Sequence, residues 1–346
     1  KIQSLASYSL LGKSGLRVSE LGIGTMTFGE EWGWGASKEE SRRIFAAFVE
    51  AGGNFIDTAN RYTEGTSEHY VGEFIAENRD AFVLATKYTL FMRRDDPNAC
   101  GNHRKNMVQA LDASLKRLNT DYIDLYWVHA WDGITPLEEV MRALDDMIRA
   151  GKILYVGISD TPAWIVSRAN MLAELRGWSP FVGLQVPYSL VQRDVERELL
   201  PMARALDLGV TPWGTLGSGV LTGKYNKPGN GEQGRASMMG GVSEQALAVA
   251  EEVVKIAEDS GCTASQVALN WVRQQPGVMV PLIGARTEAQ AKDNLGCLNY
   301  SLTEEHMAKL NEVSTINYGF PHEFLSSDFV RDLVFGGTFE KIDNHR

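Results

Sequence analysis

The sequence is poor in cysteine, in positive charge and in long apolar runs, and each shortage excludes something. Its three cysteines, Cys100, Cys262 and Cys297, are odd in number and far apart. They offer no disulfide framework and no thiolate metal motif, so a reducing, cytoplasmic setting is expected. A net charge of −10 argues against nucleic acid and anionic membranes as partners, because phosphate surfaces demand a basic face. It leaves room for a small anionic ligand held by one or two local cations. No apolar run approaches the roughly 18 residues of a spanning helix, and the N-terminus shows no charged-then-apolar leader. Gly22 and Gly24 begin no Gly-x-Gly-x-x-Gly turn, which counts against an open doubly wound sheet. Gly12-Lys13-Ser14 lacks the first glycine and the strand–loop–helix setting of a phosphate loop.

What is present is an ordinary globular composition, 44% apolar and 23% charged, arranged as a repeating strand–helix unit. A small hairpin is expected over Tyr8–Val18. Apolar runs then read as strands at Leu21–Gly24, Asn54–Ile56, Ala81–Ala85, Tyr122–Val128, Ile153–Ile158, Phe181–Leu184, Gly209–Trp213 and Val278–Ile283. Helical spacing falls between them: Lys38–Glu50 with Ser37 as N-cap and Glu40 at its third position, Ser67–Ala76, Arg104–Leu118, Pro136–Arg149, Ala163–Leu175 and Val195–Leu206. A long glycine-rich loop runs from Gly214 to about Gly241. Helices follow at Ser243–Asp259, Ser265–Gln274, Thr287–Leu295 and Leu302–Ser314, and Tyr318–Arg346 reads as an irregular aromatic tail. Eight strands alternating with helices, without a composition break, predict an α/β fold. The expected form is a single (β/α)8 TIM barrel over residues 1–346, with an N-terminal β-hairpin plug and a C-terminal helix and tail.

The C-terminal ends of the strands carry Asp57, Lys87, His129, Ser159 with Asp160, Gln185, Trp213 and Gly284–Arg286. Taken singly each has a plain structural reading; one barrel face would gather them around one cavity. Tyr62, five residues after Asp57, lies on the loop beyond its strand. Asp57 can hold the Lys87 ammonium in a partly dry site. Two unit charges about 4 Å apart interact by roughly 4 kcal/mol at an effective dielectric of ~20. On that basis Lys87 is expected to bring the Tyr62 phenol from about 10 to near neutral pH, as a tuned general acid. His129 supplies a neutral donor to orient a carbonyl. No Ser or Cys nucleophile sits beside a base and no His–carboxylate cluster suggests a metal, so the reacting electrons are expected to come from a hydride cofactor.

The later strands offer it a place. Ser159, Asp160 and Gln185 suit a carboxamide, and Trp213 offers a flat face for a nicotinamide ring. The glycine-rich segment Gly214, Thr215, Leu216, Gly217, Ser218, Gly219 through Lys224 can turn backbone N–H groups toward a pyrophosphate. Ile283, Gly284, Ala285 and Arg286 lead into a helix N-terminus suited to an anion, with Gln290 and Asn294 on the same helix face.

The chain resembles an aldo-keto reductase over nearly its whole length. The matching segments are Leu11-Gly-Lys-Ser-Gly-Leu-Arg-Val-Ser19, Phe55-Ile-Asp-Thr-Ala59 with Tyr62, Thr86-Lys87 and Asp121-Tyr-Ile-Asp-Leu-Tyr126 with His129. Gly157-Ile-Ser159, Leu221-Thr-Gly-Lys224 and Gly284-Ala-Arg286 complete them. It is most similar to the branch holding bacterial general-stress reductases, aryl-alcohol dehydrogenases and the potassium-channel β-subunits. The resemblance implies Tyr62 as proton donor, Lys87 and Asp57 as its tuning pair, and His129 as carbonyl orienter. It also implies NADPH extended across the barrel mouth, with Thr25, Met26 and Asp57 among its contacts beside those above, and NADH as a weaker alternative. Two departures stand out: Asp160 where many members have Asn, and Gly284-Ala285 where many have Lys-Ser near the 2′-phosphate, which leaves Arg286 as the main charge there. The expected partner is a small aldehyde or ketone, and a homo-oligomer stays open. Phe28, Trp32, Trp34, Tyr88, Phe91, Trp131 and the tail are expected to line an aromatic mouth. A slow-turnover NADPH-binding regulatory or scaffold subunit, as in the channel branch, is the rival reading.

Overall fold

A parallel sheet assembled from strand–helix units must bury both faces, and this chain does so by curling the sheet on itself. The computed structural model describes residues 7–227 and 241–345; the reading of the extreme N-terminus and the 228–240 part of the long glycine-rich loop lie outside them. A hairpin of β1 (Tyr8–Leu10) and β2 (Arg17–Ser19) comes first. The barrel strands are β3 (Gly22–Gly24), β4 (Phe55–Asp57), β5 (Val83–Tyr88), β6 (Ile123–Val128), β7 (Ile153–Ser159), β8 (Phe181–Gln185), β9 (Gly209–Val210) and β10 (Leu282–Ile283). They pair in parallel in the order β10-β3-β4-β5-β6-β7-β8-β9. The remaining seam is joined by backbone bonds. Val210 N–H donates to Val278 O at 2.8 Å, Val280 N–H to Val210 O at 2.8 Å, and Leu282 N–H to Pro212 O at 2.9 Å.

The outer ring is α1 (Lys38–Glu50), α2 (Thr66–Ile75), α3 (Arg104–Leu118), α4 (Leu137–Arg149), α5 (Ala163–Arg176), α6 (Leu199–Leu206), α7 (Glu244–Ser260), α8 (Ala264–Arg273), α9 (Glu288–Leu295) and α10 (Glu304–Val313). Ser37 caps α1 as expected, accepting from the Glu40 N–H. The large core lies between sheet and helices. A second core fills the lumen, where Phe55, Leu125, Trp127 and Leu282 pack on Leu11 and Val18 of the hairpin. The hairpin therefore plugs the barrel floor.

Where the structure departs from the sequence reading, proline is the usual cause. The helix expected over Val195–Leu206 is a 3₁₀ turn at Asp194–Glu196 followed by α6 from Leu199. Pro201 has no N–H to give and is tolerated only in a first turn. Pro212 and Pro281 similarly shorten the last two strands to two residues each. The tail is not irregular: it forms α11 (His322–Ser326) and α12 (Asp328–Phe335), with Ser327 capping the second. Only Val330 of these two helices is buried, so the tail carries no buried-face periodicity to betray them. No helix among the described residues is long and apolar enough to cross a membrane.

Candidate active site

Strand pleating sends alternate side chains inward. Phe55 and Asp57 of β4, Ala85 and Lys87 of β5, and Leu125 and Trp127 of β6 follow this alternation, with Ile56, Leu84, Tyr88 and Tyr126 packed against the helices instead. Trp127 closes the lumen beneath the polar groups. Its ring lies where a Cβ on Gly157 or Gly183 would sit at 2.4 or 2.9 Å, so both neighbours must be glycine.

Above that floor Lys87, wholly buried, spends its three protons on three oxygens. Nζ donates to Asp57 Oδ2 at 2.5 Å, to Thr58 O at 2.9 Å and to the Tyr62 hydroxyl at 3.1 Å. Burial works against its charge, but Asp57 and Tyr62 outweigh it and hold the ammonium's pKa above its usual value. Gln185 donates from Nε2 to the other Asp57 oxygen at 3.1 Å, and to Thr211 Oγ1 at 3.2 Å. Burial pushes the Tyr62 phenol above 10, against the pull of Lys87 and with Asp57 adding to the rise. The expectation of a near-neutral Tyr62 is therefore corrected. Desolvation of the ring penalises phenolate, and Asp57 offsets part of the lysine's field. The consequence is a hydroxyl protonated throughout the neutral range.

His129 stands with its ring edge-on to Tyr62, centroids 5.9 Å apart and planes at 85°. Burial, then Lys87, lowers its pKa to about 3, so the imidazole is neutral. Its buried Nδ1 has no hydrogen-bond partner among the described residues.

The Tyr62 loop is held by hydroxyls of which the sequence reading singled out only Thr25, and that as a cofactor contact. Ser67 Oγ donates to Thr25 O at 2.8 Å and also lies against Thr25 Oγ1 at 2.8 Å and Thr58 Oγ1 at 2.9 Å. Thr25 Oγ1 reaches Asp57 O at 3.0 Å, and Thr63 Oγ1 donates to Phe28 O at 2.7 Å. The only sequence signal was the density of Thr and Ser around these strand ends. Thr63 (φ 48°), Glu64 (φ 59°) and Gly65 (φ 96°) run left-handed in succession. For the first two this is strained backbone, which survives only where its surroundings fix it.

The residues expected at a cofactor divide by exposure. Ser159 and Gln185 are buried at the strand ends, and Asp160 sits beyond them in a left-handed conformation (φ 44°). Burial raises the Asp160 pKa, opposed by Lys87 and by hydrogen bonds from Ser159 and Trp213. Trp213 exposes 41% of its surface, an unusual amount for an indole. Gly217, Ser218 and Gly219 all take positive φ (58°, 56° and 90°), with Lys224 folded against Gly219. Thr215 is buried, Leu216 is half-buried, and Gly214 is left-handed at φ 65°. Gly284 faces open space, and Ile283 and Ala285 are buried. The Arg286 N–H donates to Gln290 Oε1 at 2.9 Å, Asn294 Nδ2 donates to Gly284 O at 3.3 Å, and the Arg286 side chain is exposed. Thr25 is buried with its hydroxyl engaged, and Met26 is half-buried. Phe28 and Tyr88, expected at the mouth, are fully buried among the helices. Tyr88, next after inward Lys87 on β5, points outward behind the sheet, and Phe28, in the loop after β3, packs edge-on to Phe74 of α2.

Sequence comparison agrees with this geometry. A model of the aldo/keto reductase family matches residues 20–315. The chain is 38% identical over 326 residues to norsolorinic acid reductase of Aspergillus flavus, covering 91% of this chain and 83% of that one. It is 37% identical over 329 residues (89% and 86%) to an aryl-alcohol dehydrogenase [NADP(+)] of Phanerodontia chrysosporium. It is 36% identical over 332 residues (91% and 88%) to a putative aryl-alcohol dehydrogenase of Saccharomyces cerevisiae. The barrel, the residues gathered at its mouth and these likenesses lead to one conclusion: this chain is an NAD(P)H-dependent oxidoreductase and belongs to the aldo/keto reductase family.

Proposed function

We propose that this protein reduces aldehydes and ketones to alcohols with NADPH, using Tyr62 as the general acid, and that residues 1–346 form one catalytic unit. The observation that carries the reading is the chain from buried Asp57 and Lys87 to half-buried Tyr62, with Nζ 3.1 Å from the phenol oxygen. When bound, the cofactor supplies a hydride to the carbonyl carbon. Tyr62 gives its proton to the carbonyl oxygen as negative charge develops there. Lys87, held cationic by Asp57, stabilises the phenolate left behind. Neutral His129 points the carbonyl oxygen at the phenol, and its low pKa keeps it from competing for the proton.

The residues at the mouth fit a dinucleotide. Trp213 presents a face for the nicotinamide, and the left-handed run Gly217–Gly219 forms a backbone cradle of the kind that binds pyrophosphate. Open Gly284 and exposed Arg286 leave space and charge for the 2′-phosphate. Ser159, Asp160, Gln185, Gln290 and Asn294 complete the contacts. The relatives' names speak of norsolorinic acid and of aryl alcohols; carried to this chain, they favour aromatic carbonyl substrates. The thiol content suits a cytoplasmic enzyme.

The test is NADPH oxidation with 4-nitrobenzaldehyde. Turnover well above the buffer blank is expected. Bound NADPH with no turnover would favour a regulatory subunit instead.

A further inference from the structure

The mouth of the site carries a row of alternating guanidinium and aromatic planes that the proposed reaction does not use. Arg61 immediately precedes Tyr62, and its side chain is only 16% exposed. Its guanidinium lies 4.2 Å from the centroid of Phe91 and 5.9 Å from that of Trp32. The Arg94 guanidinium also lies over Phe91, at 4.6 Å. Trp32 packs on Trp34 with centroids 5.9 Å apart. These residues come from the loops that follow β3, β4 and β5, the same strand ends that bear Asp57 and Lys87.

The row is built rather than incidental. Glu64 receives Arg61 Nη1 on one oxygen and Trp32 Nε1 (3.2 Å) on the other. It does so from one of the two left-handed, non-glycine positions after Tyr62. Strained backbone is thus kept at the point that fixes Arg61. Only Nη1 of Arg61 has a hydrogen-bond partner among the described residues, and Arg94 has none and no ion pair. Arg61 and Arg94 both act on Glu64, while Glu31, the other carboxylate beside this loop, is engaged by Thr66 Oγ1. Guanidinium donors are thus left unfilled next to the proton donor, in a chain whose net charge is −10. Arg93, the next cation, is already paired with Asp96 at 2.8 Å.

Resting on the reductase reading above, we infer that Arg61, supported by Arg94, is a specificity-determining residue. It selects aromatic carbonyl compounds that carry a second, anionic group on the ring. The aromatic planes take the ring, the unbonded guanidinium donors take the anion, and the carbonyl at the ring's other end meets Tyr62. Guanidinium suits this role because it stacks on aromatic faces and still offers planar donors to an oxyanion.

The experiment compares kcat/KM for 4-formylbenzoate with that for its methyl ester, at low and high salt. The expected wild-type ratio is about tenfold or more in favour of the carboxylate, shrinking as salt screens the charge. Arg61→Gln brings the ratio close to one, Arg61→Lys restores part of it, and Arg94→Gln lowers it to an intermediate value. A wild-type ratio near one overturns the inference, as does a ratio that Arg61→Gln leaves unchanged while both substrates slow together. Arg61 would then serve only to hold the Tyr62 loop. If the wild type turns over neither aldehyde, the reductase reading fails first and this inference falls with it.

Discussion

Replacing Lys87 with Met isolates the buried pair on which the site depends. The side chains are alike in length, so the substitution removes charge and hydrogen bonds with little change in volume. Asp57, 1% exposed, is left with neutral donors alone, the Gln185 amide at 3.1 Å and the Trp127 indole. At 2.5 Å the bare attraction is roughly 7 kcal/mol at an effective dielectric of ~20, but desolvation of both ions offsets much of it. Breaking such a pair by removing one partner costs about 3–5 kcal/mol. Equilibrium urea unfolding at neutral pH should show a loss of that size. Burial already pushes the Asp57 carboxyl upward from 3.8 against the pull of Lys87; without the lysine it rises further. A folded pKa above the unfolded one contributes stability that is present below about pH 4 and is lost as pH rises through the folded pKa. The deficit of the variant should therefore be small in acid and grow toward neutral pH. Adding Asp57→Asn should recover most of the stability and none of the activity. Equal stability of Lys87→Met and wild type at pH 7 would refute the reasoning, because no unpaired buried charge would then exist.

Arg286→Ala should weaken NADPH binding by roughly 2 kcal/mol or more, with NADH nearly unaffected, as read by tryptophan-fluorescence quenching. Equal losses for both cofactors would assign Arg286 to the fold or the pyrophosphate. The reductive rate should stay level from about pH 6 to about pH 9, because burial holds Tyr62 protonated and His129, with its pKa lowered to about 3, neutral across that window. A break near pH 7 would restore the view that Lys87 dominates Tyr62. Ser67→Ala, which strips a shared hydroxyl from Thr25 and Thr58, should cost about 1–3 kcal/mol in urea unfolding. A neutral effect would show that those hydroxyls have other partners.

The barrel was legible because its signal is repetition. Eight apolar runs with intervening helical spacing survive an error of a residue or two at any boundary, and α3 (Arg104–Leu118) appears with the bounds expected of it. Asp57, Lys87 and His129 were legible for the same reason, since strand ends share one face whatever the loops do. The sign of the Tyr62 shift was not legible, because it depends on how deeply the ring is buried and on how much of the Lys87 charge Asp57 consumes. Neither quantity is written in residue spacing. The amide of Gln185 on Asp57 and the burial of Tyr88 depend on side-chain direction, which one residue of register reverses, while the hydroxyls around Ser67 and the burial of Phe28 depend on how the loops fold back. The tail helices escaped notice because they bury almost nothing.

The central claim is that Tyr62 donates the proton, and Tyr62→Phe tests it with the loss of one oxygen atom. The ring still packs beside His129, and the adenosine end of the cofactor lies far along the barrel mouth in the proposed binding mode. Single-turnover reduction of 4-nitrobenzaldehyde by enzyme saturated with NADPH reports the chemical step alone. The account predicts a fall of at least ~10² in that rate with the Kd for NADPH unchanged. A Phe variant that reduces the aldehyde at the wild-type rate would contradict it.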